Sequence, residues 1–402
     1  MTPRSIAALA LLAGVFVMEG FDIAAMGIAV PRLEGALGLA PASFGWVFTG
    51  ILVGLGVGGA TLAPLGDRFG RRALIVAGCL ATGLFTLATS TAETTTMFLV
   101  WRFLTGFALG ACLPNVSALS SEIAPARLRA TVMALVSAGI PVGLFAAGRM
   151  APAIIDAWGW QGLFHVPGIF ACVLAAVLAF VLDGGRPAAA PQASGGAARL
   201  PQAVLFRSPW AFPFAVFAVI LGLNALNLYL LNSWLPTILP KGGMTLDDAA
   251  RITGDANLAG LVIGIAVSAL VDNWRKGPSL MLLFGAMAAS FVAIAVTAPD
   301  QTRWSLLLMV GVGGANAGGM VLPGLAAHIF PARLLSSAVG MGVLVARLGA
   351  FAGPPLGAAM IAADVPAQTF LGVAAIPAAA CVLMALLVPA ALAVKARAEA
   401  VR

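Results

Sequence analysis

The sequence predicts an all-α membrane protein with twelve transmembrane helices in two pseudo-symmetric six-helix bundles. Three observations carry that prediction. First, the 402 residues are 61% hydrophobic and only 9% charged, whereas water-soluble domains run at about 45–50% apolar and about 25% charged. Second, apolar runs close to the roughly 20 residues that cross a bilayer recur along the whole chain. Third, the tetrapeptide PARL occurs at 125–128 and again at 331–334, an offset of 206 residues that is about half the chain. A soluble enzyme of this length would lack the charge to cover its surface. Disorder is excluded by the low charge and high aliphatic content. The 47 Gly and 25 Pro show no collagen period, and both residues are frequent in membrane helices.

The spanning runs fall near 5–30, 43–65, 73–92, 96–118, 130–154 and 160–182. Six more fall near 209–238, 250–271, 278–298, 303–327, 335–362 and 367–392. The first run follows Arg4 but is too long for a signal peptide, and Glu19 and Asp22 stand where a cleavage region would be. Residues 183–208 contain PAAAPQASGGAA, whose Pro, Ala, Gly and Ser content marks a flexible linker. The expected domains are a first bundle over 1–182, a linker over 183–208 and a second bundle over 209–402. The net charge of +7 does not indicate nucleic acid, because the basic residues sit singly or in pairs at the ends of apolar runs. With the N-terminus inside, fifteen Lys and Arg fall on the inner side and four (Arg32, Lys241, Arg251, Arg303) on the outer side. That asymmetry places both termini in the cytoplasm of a cell whose inner (plasma) membrane the chain spans. The four Cys lie inside apolar runs without metal-ligand spacing and are expected in the core.

The two PARL copies precede glycine-rich runs at the same place in each half, and the offset pairs Gly143 with Gly349 and Phe145 with Phe351. A duplicated six-helix unit is the expected origin, as in many secondary transporters. Between the second and third runs, Leu65–Arg72 reads LGDRFGRR, a turn with one acid among three Arg. This loop resembles the signature loop of the major facilitator superfamily, with Ala63 in place of its first Gly. Its second-half counterpart, Asp272–Gly277, is degenerate. Arg102, Gly106 and Gly110 are similar to the superfamily's fourth helix, and Gly139-Ile140-Pro141-Val142-Gly143 to its glycine-rich fifth.

A narrower resemblance covers most of the chain. Glu19-Gly20-Phe21-Asp22 with Gly27 and Pro31, Pro114 and Asn115 through Glu122 to Arg129, Tyr229 to Thr237, and Ala346-Arg347-Leu348-Gly349 with Gly353-Pro354 resemble the aromatic acid:proton symporter family. The resemblance implies a twelve-helix transporter that takes up aromatic carboxylates on a proton gradient. It places Asn115 in the candidate substrate-binding set.

The charges themselves point the same way. An ionisable side chain deep in a membrane is costly and functional by default. Glu19 and Asp22 are three residues apart and share a helix face, so two carboxylates away from water are candidate proton carriers. The alternative for each is a structural acid bonded to backbone or paired with Arg. Arg347, mid-way along the eleventh run, cannot deprotonate and needs an anionic or strongly dipolar partner. That partner is either a substrate carboxylate or the acids of the first helix. Arg102 and Arg149 read as lying nearer the outer ends of their helices, where snorkelling competes with substrate binding. Asn224, Asn227, Tyr229, Asn232 and Trp234 form a polar and aromatic arc suited to an aromatic ring, or to helix–helix hydrogen bonds. Asp67, Arg68, Gly70, Arg71, Glu122 and Asp272 are the candidate gating residues. His328, the repeat mate of Glu122, titrates near neutrality if it takes part.

The expected function is proton-coupled symport, by alternating access, of a small organic carboxylate, with an aromatic acid the first choice. The alternative is proton-coupled efflux of a drug or metabolite; the central Arg347 favours an anionic cargo. An enzyme is not expected, since there are two His, no H-E-x-x-H and no G-x-S-x-G. No metal or cofactor site is expected. The expected partners are the cargo, protons and the bilayer, with no nucleic acid and a monomer as the working unit.

Overall fold

A computed structural model of the chain describes residues 2–182 and 204–400, so most of the linker expected over 183–208 lies outside the described residues. Among the described residues, twelve helices are long and apolar enough to cross a membrane. They are α1 (Pro3–Leu37), α2 (Pro41–Thr61), α3 (Arg71–Thr89), α4 (Thr95–Ile123), α5 (Thr131–Trp158) and α6 (Gly162–Val181), then α7 (Ala211–Lys241), α8 (Leu246–Asn273), α9 (Lys276–Val296), α10 (Gln301–Ile329), α11 (Ala332–Ala362) and α12 (Ala367–Ala398). The fold class expected from the sequence is the one observed.

Several helices run past the apolar stretches that announce them, because capping rather than hydrophobicity sets their ends. Thr2 caps α1, its hydroxyl accepting from the Ser5 N–H at 3.2 Å, and Gly38 ends the helix at φ 68°. Thr245 caps α8 through the Asp248 N–H at 3.0 Å. Asp300 caps α10 through the Arg303 N–H at 2.7 Å. The seam between α2 and α3 also differs from expectation: a short helix, Leu65–Phe69, occupies what the sequence presents as a turn.

The chain divides into two compact units. Among the described residues, one holds 2–182 with Leu235–Thr237 and Thr245–Gly254; the other holds 204–234 with Ile238–Met244 and 255–400. The repeat seen in the sequence is realised in their packing. In the first unit Gly143 of α5 lies against α1, and a Cβ there would strike the Val17 carbonyl. In the second, Gly349 of α11 lies against α7, and a Cβ would strike the Gly222 carbonyl. Both glycines are places where one backbone touches another, so small residues set the helix separation. The helices α4 and α10 are 29 residues each and stand 206 residues apart.

Candidate functional site

In the first unit the centre of the charge chemistry is a buried ion pair. Asp22 lies mid-way along α1 and Arg102 two turns into α4, and each side chain is 1% exposed. Arg102 Nη1 donates to Asp22 Oδ2 at 2.6 Å, and the Thr86 hydroxyl of α3 donates to Asp22 Oδ1 at 3.1 Å. The guanidinium stacks over Phe164 of α6, 4.9 Å from the ring centroid, and among the described residues its Nε and Nη2 have no hydrogen-bond partner. Two charges taken from water are held by each other, by the Thr86 hydroxyl and by the Phe164 ring, an arrangement sensitive to the loss of either charge. The carboxylate thus faces a guanidinium that keeps its charge. Glu19, one turn before Asp22, is likewise buried.

Arg102 therefore does not snorkel. Its partner Asp22 removes the incentive to reach the interface, and Arg102 is the counter-ion the sequence left open for Asp22. Thr86 and Phe164 complete the cluster without any signal in the sequence, being an isolated Thr and an ordinary Phe in apolar runs. Arg149, by contrast, is exposed on α5, 5.7 Å from the centroid of Phe145.

The polar arc of α7 separates into two groups. Asn224 Nδ2 donates to the Ala315 carbonyl of α10 at 3.0 Å. Asn227 Nδ2 donates at 2.9 Å to the carbonyl of Ala374, where α12 breaks between Ala367–Val373 and Ala375–Ala400. Trp234, fully buried, donates from Nε1 to the Pro354 carbonyl of α11 at 2.8 Å. These three side chains tie helices to one another. Tyr229 and Asn232 are half-buried, and the enclosed amide oxygen of Asn232 has no hydrogen-bond partner. Arg347 is half-buried too, and among the described residues nothing hydrogen-bonds to it or pairs with it. An amide pair that sequence reasoning missed, Asn316 Nδ2 to Asn257 Oδ1 at 3.0 Å, joins α10 to α8.

The loop residues form a second charged cluster at the α2–α3 end of the first unit. Arg71 is ion-paired with Glu122 at the end of α4 and lies 3.5 Å from Asp67. Arg68 lies over Phe69, 5.4 Å from the ring centroid. Gly70 has φ 92°, a left-handed backbone that favours glycine between the short helix and α3. Asn115, placed by resemblance in the substrate set, is instead bonded to this loop: its Nδ2 donates to the Ala63 carbonyl at 3.1 Å and to the Ala111 carbonyl at 2.8 Å. In the second unit the equivalent end carries a looser pair, His328 Nε2 to Asp272 Oδ1 at 3.5 Å. Outside the spans, Lys241 beside Asp364 holds that carboxyl below the ordinary range.

The family model described as Major Facilitator Superfamily matches residues 12–328. The chain belongs to the major facilitator superfamily. Within it, this chain is 29% identical to the 4-hydroxybenzoate transporter PcaK of Pseudomonas putida, over 94% of this chain and 88% of the relative. It is 31% identical to the 3-(3-hydroxy-phenyl)propionate transporter of Escherichia coli, over 87% and 85% of the two chains. Among solved superfamily structures, the D-xylose-proton symporter superposes with a TM-score of 0.74 at 18% identity, covering 96% of each chain. That likeness is one of fold.

Proposed function

We propose that this membrane protein is a proton-coupled symporter that takes up a small aromatic carboxylate by alternating access. The observation that carries the reading is the division of charges: a buried Asp22–Arg102 pair in one unit and, in the other, a half-buried Arg347 with no hydrogen-bond or ion-pair partner among the described residues. The relatives named for hydroxylated aromatic acids support the cargo class. The asymmetry of fifteen basic residues against four supports a bacterial inner membrane with both termini cytoplasmic.

Arg347 on α11 grips the carboxylate through its planar fork, and Tyr229 and Asn232 on α7 serve the ring. Asp22, and secondarily Glu19, takes the proton. Protonation of Asp22 removes the anion from Arg102 and leaves that cation buried alone, a state favouring rearrangement. Moving an anion inward against a negative-inside potential costs about 2.3 kcal/mol per charge per 100 mV, and a co-transported proton cancels that charge. The Asp67–Arg71–Glu122 cluster and the Asp272–His328 pair gate the cytoplasmic ends. In this reading Asn115, Asn224, Asn227 and Trp234, which donate to backbone carbonyls, hold the scaffold, and Arg149, exposed on α5, is assigned no ligand role.

The test is uptake of radiolabelled 4-hydroxybenzoate into proteoliposomes under an imposed inward proton gradient, with thermal-shift binding to detergent-solubilised protein. Wild type is expected to accumulate the acid and Arg347→Ala to lose binding while melting within a few degrees of wild type. Arg347→Lys, which keeps the charge without the fork, is expected to bind about tenfold more weakly. Retained wild-type affinity in Arg347→Ala would remove Arg347 from the site.

A further inference from the structure

The Asn115 amide lies one proline after a break in the hydrogen bonding of α4. Pro114 supplies no N–H, so the Gly110 carbonyl one turn back loses its helical donor. Beyond that point α4 continues to Ile123 and delivers Glu122 to Arg71. Asn115 is 4% exposed, and its single NH2 group spans two elements: Ala111 on its own helix and Ala63 just past the end of α2. The Ala63 carbonyl also receives the Gly66 N–H at 3.1 Å. On its other side the amide fills the space over Gly66, where a Cβ would collide with Asn115 Oδ1. Gly66 is buried and has no positive φ, so the packed amide, not the backbone, demands glycine there.

We infer that Asn115 is a positioning residue for the gating loop, fixing the short helix Leu65–Phe69 to α4 so that Asp67 and Glu122 reach Arg71 from the same rigid body. It touches neither cargo nor proton. It works by holding the Ala63 carbonyl and by excluding any side chain from position 66. The inference rests on the reading of Asp67, Arg71 and Glu122 as a gate.

Two measurements separate the inference from that reading. Hydrogen exchange in nanodiscs reports the loop without any cargo. Asn115→Ala is expected to speed exchange of the Leu62–Asp67 amides by about tenfold, leaving the α4 amides before Pro114 unchanged. Gly66→Ala is expected to do the same in the wild-type background and to add little on top of Asn115→Ala, because the clashing amide is then gone. Should Asn115→Ala not fold, Asn115→Asp keeps the shape but replaces the donor with an acceptor facing two carbonyls, and the same faster exchange is expected. Unchanged exchange, or fully additive effects of the two substitutions, would overturn the inference. In proteoliposomes with 4-hydroxybenzoate, Asn115→Ala is expected to cut turnover by about tenfold with binding affinity within about twofold. Asp67→Asn is the control. If Asp67→Asn slows turnover and Asn115→Ala does not, the positioning role fails. If Asp67→Asn has no effect, the gate reading fails and the exchange data alone decide whether Asn115 holds the loop.

Discussion

The two units share a scaffold and differ in chemistry. The Gly143 contact of α5 on α1 and the Gly349 contact of α11 on α7 are the same helix crossing made twice. At the level of that crossing the first unit carries Asp22 bonded to Arg102. At the corresponding offset from Arg102 the second unit carries Leu308, fully buried, and its polar groups nearby are the neutral Asn224 and Asn227, both bonded to carbonyls. One unit holds a paired charge in its interior; the other places amides that donate to carbonyls in its interior, and among the described residues its Arg347 has no hydrogen-bond or ion-pair partner. Duplication supplies the packing, and in the proposed function substitution within it separates proton handling from anion handling.

The largest effect expected from breaking this asymmetry is at Arg102. Removing one partner of a buried pair costs about 3–5 kcal/mol because the other charge is stranded. Arg102→Leu, which makes the first unit resemble the second at Leu308, should therefore lower the melting temperature sharply. Adding Asp22→Asn should recover most of that loss without restoring gradient-driven uptake. Differential scanning fluorimetry of the two variants checks this; a single variant as stable as wild type would mean that the pair contributes little to the folded state.

A smaller effect is expected where the comparison is between loops. Arg71 meets two acids in the first unit, whereas the second has one pair, His328–Asp272, at 3.5 Å with the Asp272 side chain 69% exposed. Exposed pairs are worth about 0.2–1 kcal/mol. Asp67→Asn is expected to slow turnover several-fold with cargo affinity kept, and Asp272→Asn to slow it less than about twofold. A larger effect at Asp272 would make the second-half loop the dominant gate.

What the sequence made legible follows from what is local. Apolar runs, caps, the PARL repeat and the glycine pairing Gly143 with Gly349 are properties of neighbouring or equivalently placed residues, and the twelve helices and their two-fold plan could be read from them. The rotation of one helix against another is not local. The sequence therefore showed Asp22 and Arg102 as two intramembrane charges without showing that they meet. For the same reason a helical wheel marks Asn115, Asn227 and Trp234 as polar positions, but not that each faces a neighbour's carbonyl. Helix ends were misjudged where a Thr or Asp cap extends the helix beyond its apolar stretch, as at Thr245.

The central claim is that Asp22 couples the proton to the cargo, and one experiment separates coupling from binding. Proteoliposomes containing Asp22→Asn are loaded with unlabelled 4-hydroxybenzoate for counterflow and, separately, energised with an inward proton gradient for net uptake. Loss of gradient-driven accumulation with counterflow retained is the expected result, since exchange needs the cargo site and the conformational cycle but no net proton movement. Wild-type accumulation by Asp22→Asn would contradict the claim.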